Sequence, residues 1–191
     1  MSEGVRTHRW TRAAYDRLIE IGVFQRGDRV ELLGGELIVA EPQSEPHYTA
    51  ICLIEEALRK ALGAGWFVRP QGPIALDDES EPEPDIAVVP GTSRDYRQDH
   101  PARPVLVVEV AASSFDLDRK HKGSLYARAG LIDYWILDLA HRRLEVYRDP
   151  VRDAAAPFGW RYASVQQLEA GATIATLAAP DARVRVSDLL P

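Results

Sequence analysis

A glutamate inside an apolar run is the first residue of this chain that raises a chemical question. Val105-Leu106-Val107-Val108-Glu109-Val110 has the near-continuous apolar composition of a strand covered on both faces. Leaving the Glu109 carboxylate unpaired in such a strand costs several kcal/mol. Two readings stand: Glu109 sits at the strand end and reaches solvent or an arginine, or it faces a cleft and binds a cation. Asp85 poses the same choice. It follows Pro84 and opens the strand Ile86-Ala87-Val88-Val89, and an aspartate after proline is an ordinary loop residue. Together with Glu109, however, it makes two carboxylates at comparable positions on two buried strands. That is the minimal protein ligand set for Mg²⁺ or Mn²⁺, which take one or two carboxylates plus waters and phosphate oxygens. A third feature follows in Asp118-Arg119-Lys120-His121-Lys122-Gly123-Ser124-Leu125-Tyr126. Asp118, Lys122 and Tyr126 are spaced i, i+4, i+8 and share one helix face. That face lies beside an apolar stripe of Leu117 and Leu125. A lysine there can point over the strand ends toward the carboxylates. The alternative is a solvated Asp118–Lys122 pair.

The elements around these residues read as helix, hairpin, helix, several strands, helix, strands. Thr11 to Phe24 carries Tyr15, Leu18, Ile19 and Val23 at helical spacing behind a Thr11 cap. Residues 29–33 and 36–39 flank Gly34-Gly35 and predict a tight hairpin. His47 to Leu62 repeats Ile51, Ile54, Leu58 and Ala61 helically and ends at Gly63. Short strands are expected at Trp66–Arg69 and Ile74–Leu76, followed by an acidic loop from Asp77 to Glu83. Asp116 to Ala129 has helical composition before Gly130. Strands are then expected at 134–137, 144–147, 160–165, 173–177 and 184–186. This order argues for one α/β sheet with helices against it, in a single domain over residues 1–191.

The chain has 191 residues, 46% apolar and 27% charged, enough for one sizeable core. Its 23 basic and 29 acidic residues give a net charge of −6. That disfavours a protein that coats nucleic acid with an unbroken basic surface, although a metal site adds local positive charge that the count omits. The single cysteine, Cys52, excludes an internal disulfide and a multi-cysteine zinc site. No apolar run approaches the roughly 20 residues that span a bilayer, and the N-terminus lacks a signal pattern, so a cytoplasmic protein is expected.

Pro84-Asp85, Glu109 in Val-Val-Glu-Val, Ser113-Ser114, Asp118, Lys122 and Tyr126 occur in the order that resembles the Uma2 family. Tyr134-Trp135-Ile136-Leu137-Asp138 after Gly130 is similar to its aromatic strand, and Val30 to Leu37 is similar to its N-terminal hairpin. The likeness covers roughly residues 11–147. It implies a PD-(D/E)xK, restriction-endonuclease-like core: a mixed sheet flanked by helices, with one metal-binding edge, to which the sequence adds an N-terminal hairpin and, from the β signals past Phe158, a C-terminal β extension. Carried over, Asp85 and Glu109 are the two metal acids. The usual lysine two residues after the second acid is Ala111 here, and the resemblance puts Lys122 in that role, with Lys120 as the other candidate. Glu31 matches a further acid that reaches the metal, with Glu55 and Glu56 in competition. Gln71 and His47 match polar residues beside the site, and His47 also reads simply as a residue opening a helix. The implied chemistry is Mg²⁺- or Mn²⁺-assisted hydrolysis of DNA phosphodiesters, with Lys122 positively charged and Tyr126 bracing it along the helix. Two other functions stay open. One is a catalytically silent binding or regulatory module, for which Ala111 and the acidic balance speak; the other is a hydrolase of smaller phosphate substrates. Among Arg94, Arg97, Arg103, Arg119, Lys120, Lys122, Arg128, Arg142 and Arg143 several are candidates to line one side of the cleft, or a solvated face. Duplex cutting needs two active sites, which suggests a homodimer, with Trp160 and Tyr162 as candidate interface residues.

Overall fold

The computed structural model describes residues 7–25, 27–39, 43–111 and 116–191. Ser113 and Ser114 of the sequence motif lie outside them. Helix α1 (Arg12–Glu20) starts at Thr11, whose side chain accepts from the Ala14 N–H at 3.3 Å. It ends before the expected Phe24 because Gly22 adopts φ +70°, and the N–H groups of Gly22 and Val23 bond back to Ile19 and Leu18. Of its apolar stripe only Tyr15 is buried; Ile19 and Val23 stand about half exposed. Strands β1 (Val30–Leu33) and β2 (Glu36–Val39) form the expected hairpin. Gly34 and Gly35 both take positive φ at its turn, as the right-handed twist of a two-residue hairpin demands. Helix α2 (Glu45–Leu62) carries Pro46 in its first turn and stops at Gly63. It buries Ala50, Ile51, Ile54 and Leu58.

The main sheet has six strands in the order β3 (Trp66–Pro70), β4 (Ile86–Pro90), β5 (Leu106–Ala111), β6 (Asp133–Asp138), β7 (Arg143–Arg152) and β8 (Trp160–Glu169). All neighbours are antiparallel except β5 and β6. A parallel pair needs a crossover, and here that crossover contains α3 (Gly123–Arg128). The expected strand at Ile74–Leu76 does not join the ladder. Its N–H groups instead bond to the carbonyls of Pro82, Pro101 and Ser80, because Pro70 and Pro73 bracket a change of chain direction at Gln71-Gly72.

Side-chain alternation divides the core in two. Leu106, Val108 and Val110 of β5 pack with α2 on one face, together with Trp135 and Leu137 of β6. Val107 and Ala111 pack on the other face with Tyr126 and Ala127 of α3 and with Tyr134 and Ile136 of β6. Glu109 alternates onto the α3 face. The extension of β9 (Thr173–Ala175) and β10 (Arg183–Arg185) sends Val184, Val186, Leu189 and Leu190 into the α2-side core. Tyr162 is buried and its hydroxyl donates to the Leu131 carbonyl at 2.8 Å, so it cannot serve as an interface residue; core packing has claimed it. No helix among the described residues is long and apolar enough to cross a membrane.

Candidate active site

Glu109 sits on the last half of β5, where the pairing with β4 ends at Ile86–Val108. Beyond that pair the two strands part, and Asp85 fills the gap: its Oδ2 accepts from the Val110 N–H at 2.8 Å. The Asp85 N–H in turn donates to Glu109 Oε2 at 3.3 Å. Asp85 therefore serves two purposes, since the same carboxylate that terminates the ladder is brought beside Glu109. Gln71 holds φ 45°, a left-handed conformation rare for a side chain with a Cβ, and its N–H donates to the Asp85 carbonyl at 2.9 Å.

Lys122 arrives from the opposite direction. The expected helix from Asp116 to Ala129 is not continuous: Leu117–Lys122 forms a π-helical turn ahead of α3, in which the Gly123 N–H reaches back five residues to the Asp118 carbonyl. Such turns insert one extra residue into a helix and re-aim the side chains beyond it. Gly123 allows the tight geometry, because a Cβ there would stand 3.3 Å from the Asp118 oxygen. The Lys122 ammonium is buried and donates to Glu109 Oε1 at 3.1 Å and Glu31 Oε1 at 3.2 Å. The solvated Asp118–Lys122 pair is thus excluded; Asp118 is buried within electrostatic reach of both Glu109 and Lys122. Lys120 is not at the site. It is exposed and pairs with Asp116 at 3.1 Å.

Tyr126 acts on the acid rather than on the lysine, its hydroxyl donating to Glu109 Oε1 at 2.8 Å. Glu31, from β1, also accepts from the Glu83 N–H at 3.1 Å. His47, in the first turn of α2, places Nε2 3.1 Å from both Asp85 oxygens. Glu55 and Glu56 do not approach the cluster. Glu55 pairs with Arg59 at 2.8 Å and Glu56 is exposed, because the inward face of α2 is apolar and covers the other side of the sheet.

Sequence patterns missed two participants. Gln43 Nε2 donates to Asp85 Oδ1 at 3.3 Å, and no local spacing marks it. Glu83 contributes the backbone N–H to Glu31; its place two residues before Asp85, in an alternating segment, was a usable signal. Gln43, Gln71 and Glu83 line a cleft of about 680 Å³ with Tyr15 and Phe24 among its walls. Among the described residues the arginine on its wall is Arg29, not one of the arginines expected there. Arg119, Arg128 and Arg143 are bound to acids elsewhere: Glu145, Asp77 and Asp138.

The electrostatics follow from burial. Desolvation pushes the Glu109 carboxyl up, to about 8; Lys122 opposes this, while Asp118, Asp85 and Glu31 add to it. Desolvation pulls Lys122 down, but Glu109, Glu31, Asp118 and Asp85 outweigh it, so its ammonium is held well above the ordinary lysine range. Desolvation likewise raises Glu83, with Arg29 opposing. Among the described residues the buried acids Glu109, Glu31, Asp118 and Asp85 are thus offset by the buried Lys122. Among the described residues no group of three or more His, Cys, Asp or Glu side chains is arranged to hold a metal ion unaided. Two adjacent carboxylates suit a hard divalent cation that keeps waters, and they do not suit a closed zinc cage.

The mixed sheet, its parallel β5–β6 pair and the acids at the strand ends define a restriction-endonuclease-like α/β fold. A crystal structure described as that of "a putative nuclease belonging to DUF820 from Anabaena variabilis ATCC 29413" is similar, with a TM-score of 0.66 and 14% identity over 89% of this chain and 94% of that one. At that identity the likeness is one of fold. No curated protein sequence matches. The Uma2 family profile, described as "Putative restriction endonuclease", matches residues 12–186, and the chain belongs to this family.

Proposed function

We propose that this protein is a metal-dependent endonuclease that hydrolyses DNA phosphodiester bonds. In this reading Asp85 and Glu109 hold Mg²⁺ or Mn²⁺, with Glu31 reaching the ion or its waters. The single observation that carries it is the buried Lys122 ammonium, 3.1 Å from Glu109 beside Asp85, in a cluster whose bonded neighbours Gln43, Gln71 and Glu83 line a cleft. When bound, the ion activates a water and neutralises charge on the phosphate. The chain's own residues do the rest. Lys122 stays protonated and stabilises negative charge that grows on the phosphoryl oxygens, an electrostatic role rather than that of a base. Glu31 and Glu109 fix its position from two sides. Tyr126 holds the Glu109 carboxylate, and His47 and Gln43 orient Asp85. Duplex cleavage would need a second copy of this site, hence a homodimer on duplex DNA.

The test is plasmid cleavage by the full-length protein with Mg²⁺ and with Mn²⁺, alongside calorimetric titration of each metal. Wild type is expected to nick or cut, and Asp85→Asn and Glu109→Gln to lose about 100-fold or more in rate while keeping a cooperative melt. A folded wild type that binds neither metal and leaves DNA intact overturns the reading. Hydrolysis of nucleotides but not of polymers would transfer it to a small phosphate substrate.

A further inference from the structure

The α3 side of the sheet carries a second concavity, of about 430 Å³, within the roughly 300–1,000 Å³ of small-ligand pockets. Its lining includes Tyr147, Trp160 and Tyr162; the two tyrosines are buried and pack on Tyr134 and on each other, so the partly exposed Trp160 is its accessible ring. The Tyr147 hydroxyl donates to Glu145 at 2.7 Å and that of Tyr162 to the Leu131 carbonyl at 2.8 Å. With both hydroxyls engaged and both rings buried, the tyrosines back the pocket, and Trp160, whose ring also meets the Arg152 guanidinium at 5.1 Å, supplies its aromatic surface. Polarity comes instead from the basic side chains of its lip, Arg119, Lys120, His121 and Arg161. Arg119 is held in place by two 2.8 Å bonds to Glu145. Arg161 pairs with Asp153 at 2.9 Å across an exposed contact, the kind that contributes little and yields to a better anion.

An indole ring beside basic side chains suits a planar base stacked on Trp160, with its phosphate at the guanidinium and imidazole groups. We propose that this pocket binds a nucleotide unit, either free or within a single strand. It is separate from the carboxylate cluster and independent of any activity there, yet it shares two elements with it. Arg119 and His121 belong to the turn that carries Lys122, which reaches Glu109 while Arg119 reaches Glu145 on β7. The loop forming the other wall, Ala155 to Pro157, continues into Phe158, whose ring meets Gly34 in the hairpin that holds Glu31.

The test titrates the full-length protein with AMP, with adenosine and with single-stranded hexathymidylate, by calorimetry and by tryptophan fluorescence. AMP or the oligonucleotide is expected to saturate, and adenosine to bind about tenfold more weakly than AMP for lack of the phosphate. His121→Ala and Arg161→Ala, both at exposed positions, should each weaken binding about tenfold, and Ala156→Phe should abolish it by filling the pocket. Asp85→Asn should bind as wild type does. Saturation by AMP identifies a free nucleotide, and saturation by the oligonucleotide alone identifies a strand; both support the pocket. No saturation by either ligand at about millimolar concentration overturns the proposal. So does binding that survives both lip substitutions, or binding that Asp85→Asn abolishes.

Discussion

Replacing Lys122 with methionine removes the buried ammonium that offsets Glu109 and Glu31 while keeping most of the side chain's volume. Glu109 and Glu31 lose their 3.1 Å partner, and neither can turn to water, since both are buried. Removing one member of a buried ion pair costs about 3–5 kcal/mol, because the remaining charge stays in place without compensation. For a chain of this size that is a fall in Tm of roughly 6–20 °C. The direction of the pH dependence is fixed as well. Desolvation already raises the Glu109 carboxyl, and losing Lys122 removes the contribution that lowers it. In the variant the folded state therefore holds its carboxyl proton more tightly than the unfolded chain does. Stability should be recovered below the ordinary carboxylate range near pH 4.5 and lost as pH rises through the elevated folded value. The assay is urea denaturation of both proteins at pH 5 and pH 8, followed at pH 8 by added Mg²⁺. The gap between variant and wild type should widen at pH 8, and Mg²⁺ should narrow it if a divalent ion can take up the same charge. A loss below about 1 kcal/mol, equal at both pH values, would refute the reasoning by showing that the carboxylates find water or protons without the lysine.

Two further perturbations probe the frame around the site. Glu81 is buried 3.7 Å from Arg12 and 3.6 Å from His100; desolvation, then Asp16, push its carboxyl from 4.5 to about 7, against Arg12. Its proton is bound more tightly in the folded state, so this group's contribution is present below pH 4.5 and lost by about pH 7, a change of at most roughly 3 kcal/mol. Glu81→Gln should therefore gain stability relative to wild type between pH 5 and pH 8 in chemical denaturation, and an offset that stays constant with pH would contradict the assignment. Gly34→Ala forces a Cβ into the left-handed region at φ +57° and against the Phe158 ring, for about 1–3 kcal/mol. Because the ring accounts for part of that loss, the cost should shrink in a Phe158→Ala background, as a double-mutant cycle can measure.

Much of the local structure was legible because it rests on short-range rules. Gly34-Gly35 between two short apolar runs sufficed for the hairpin, and the 3.6-residue repeat of Ile51, Ile54 and Leu58 sufficed for α2. Glu109 inside a buried strand announced itself as costly to bury, and Asp85 became notable beside it. Where local rules competed with packing, the chain alone was less informative. The apolar spacing past Glu20 suggested more helix, but Gly22 ended it. Ile74 to Leu76 had strand composition, yet its backbone donors found loop carbonyls. The composition of residues 116–129 suited an α-helix, whereas the structure opens with a π-helical turn.

The residue types, their order and the need for a partner to Glu109 were therefore set by the sequence itself. Only the tertiary structure brings Lys122 rather than Lys120 to Glu109, and Glu31 rather than Glu55 or Glu56 to Lys122. The reason is geometric. A helix presents residues only two positions apart in different directions, and the extra residue of the π-helical turn sends the Lys122 ammonium to Glu109 while Lys120 reaches Asp116 in solvent. Glu55 and Glu56 ride on a helix whose apolar stripe covers the other side of the sheet. Glu31 comes from a hairpin outside the main sheet, and its approach to Lys122 is a contact across 91 positions of sequence that no local spacing encodes.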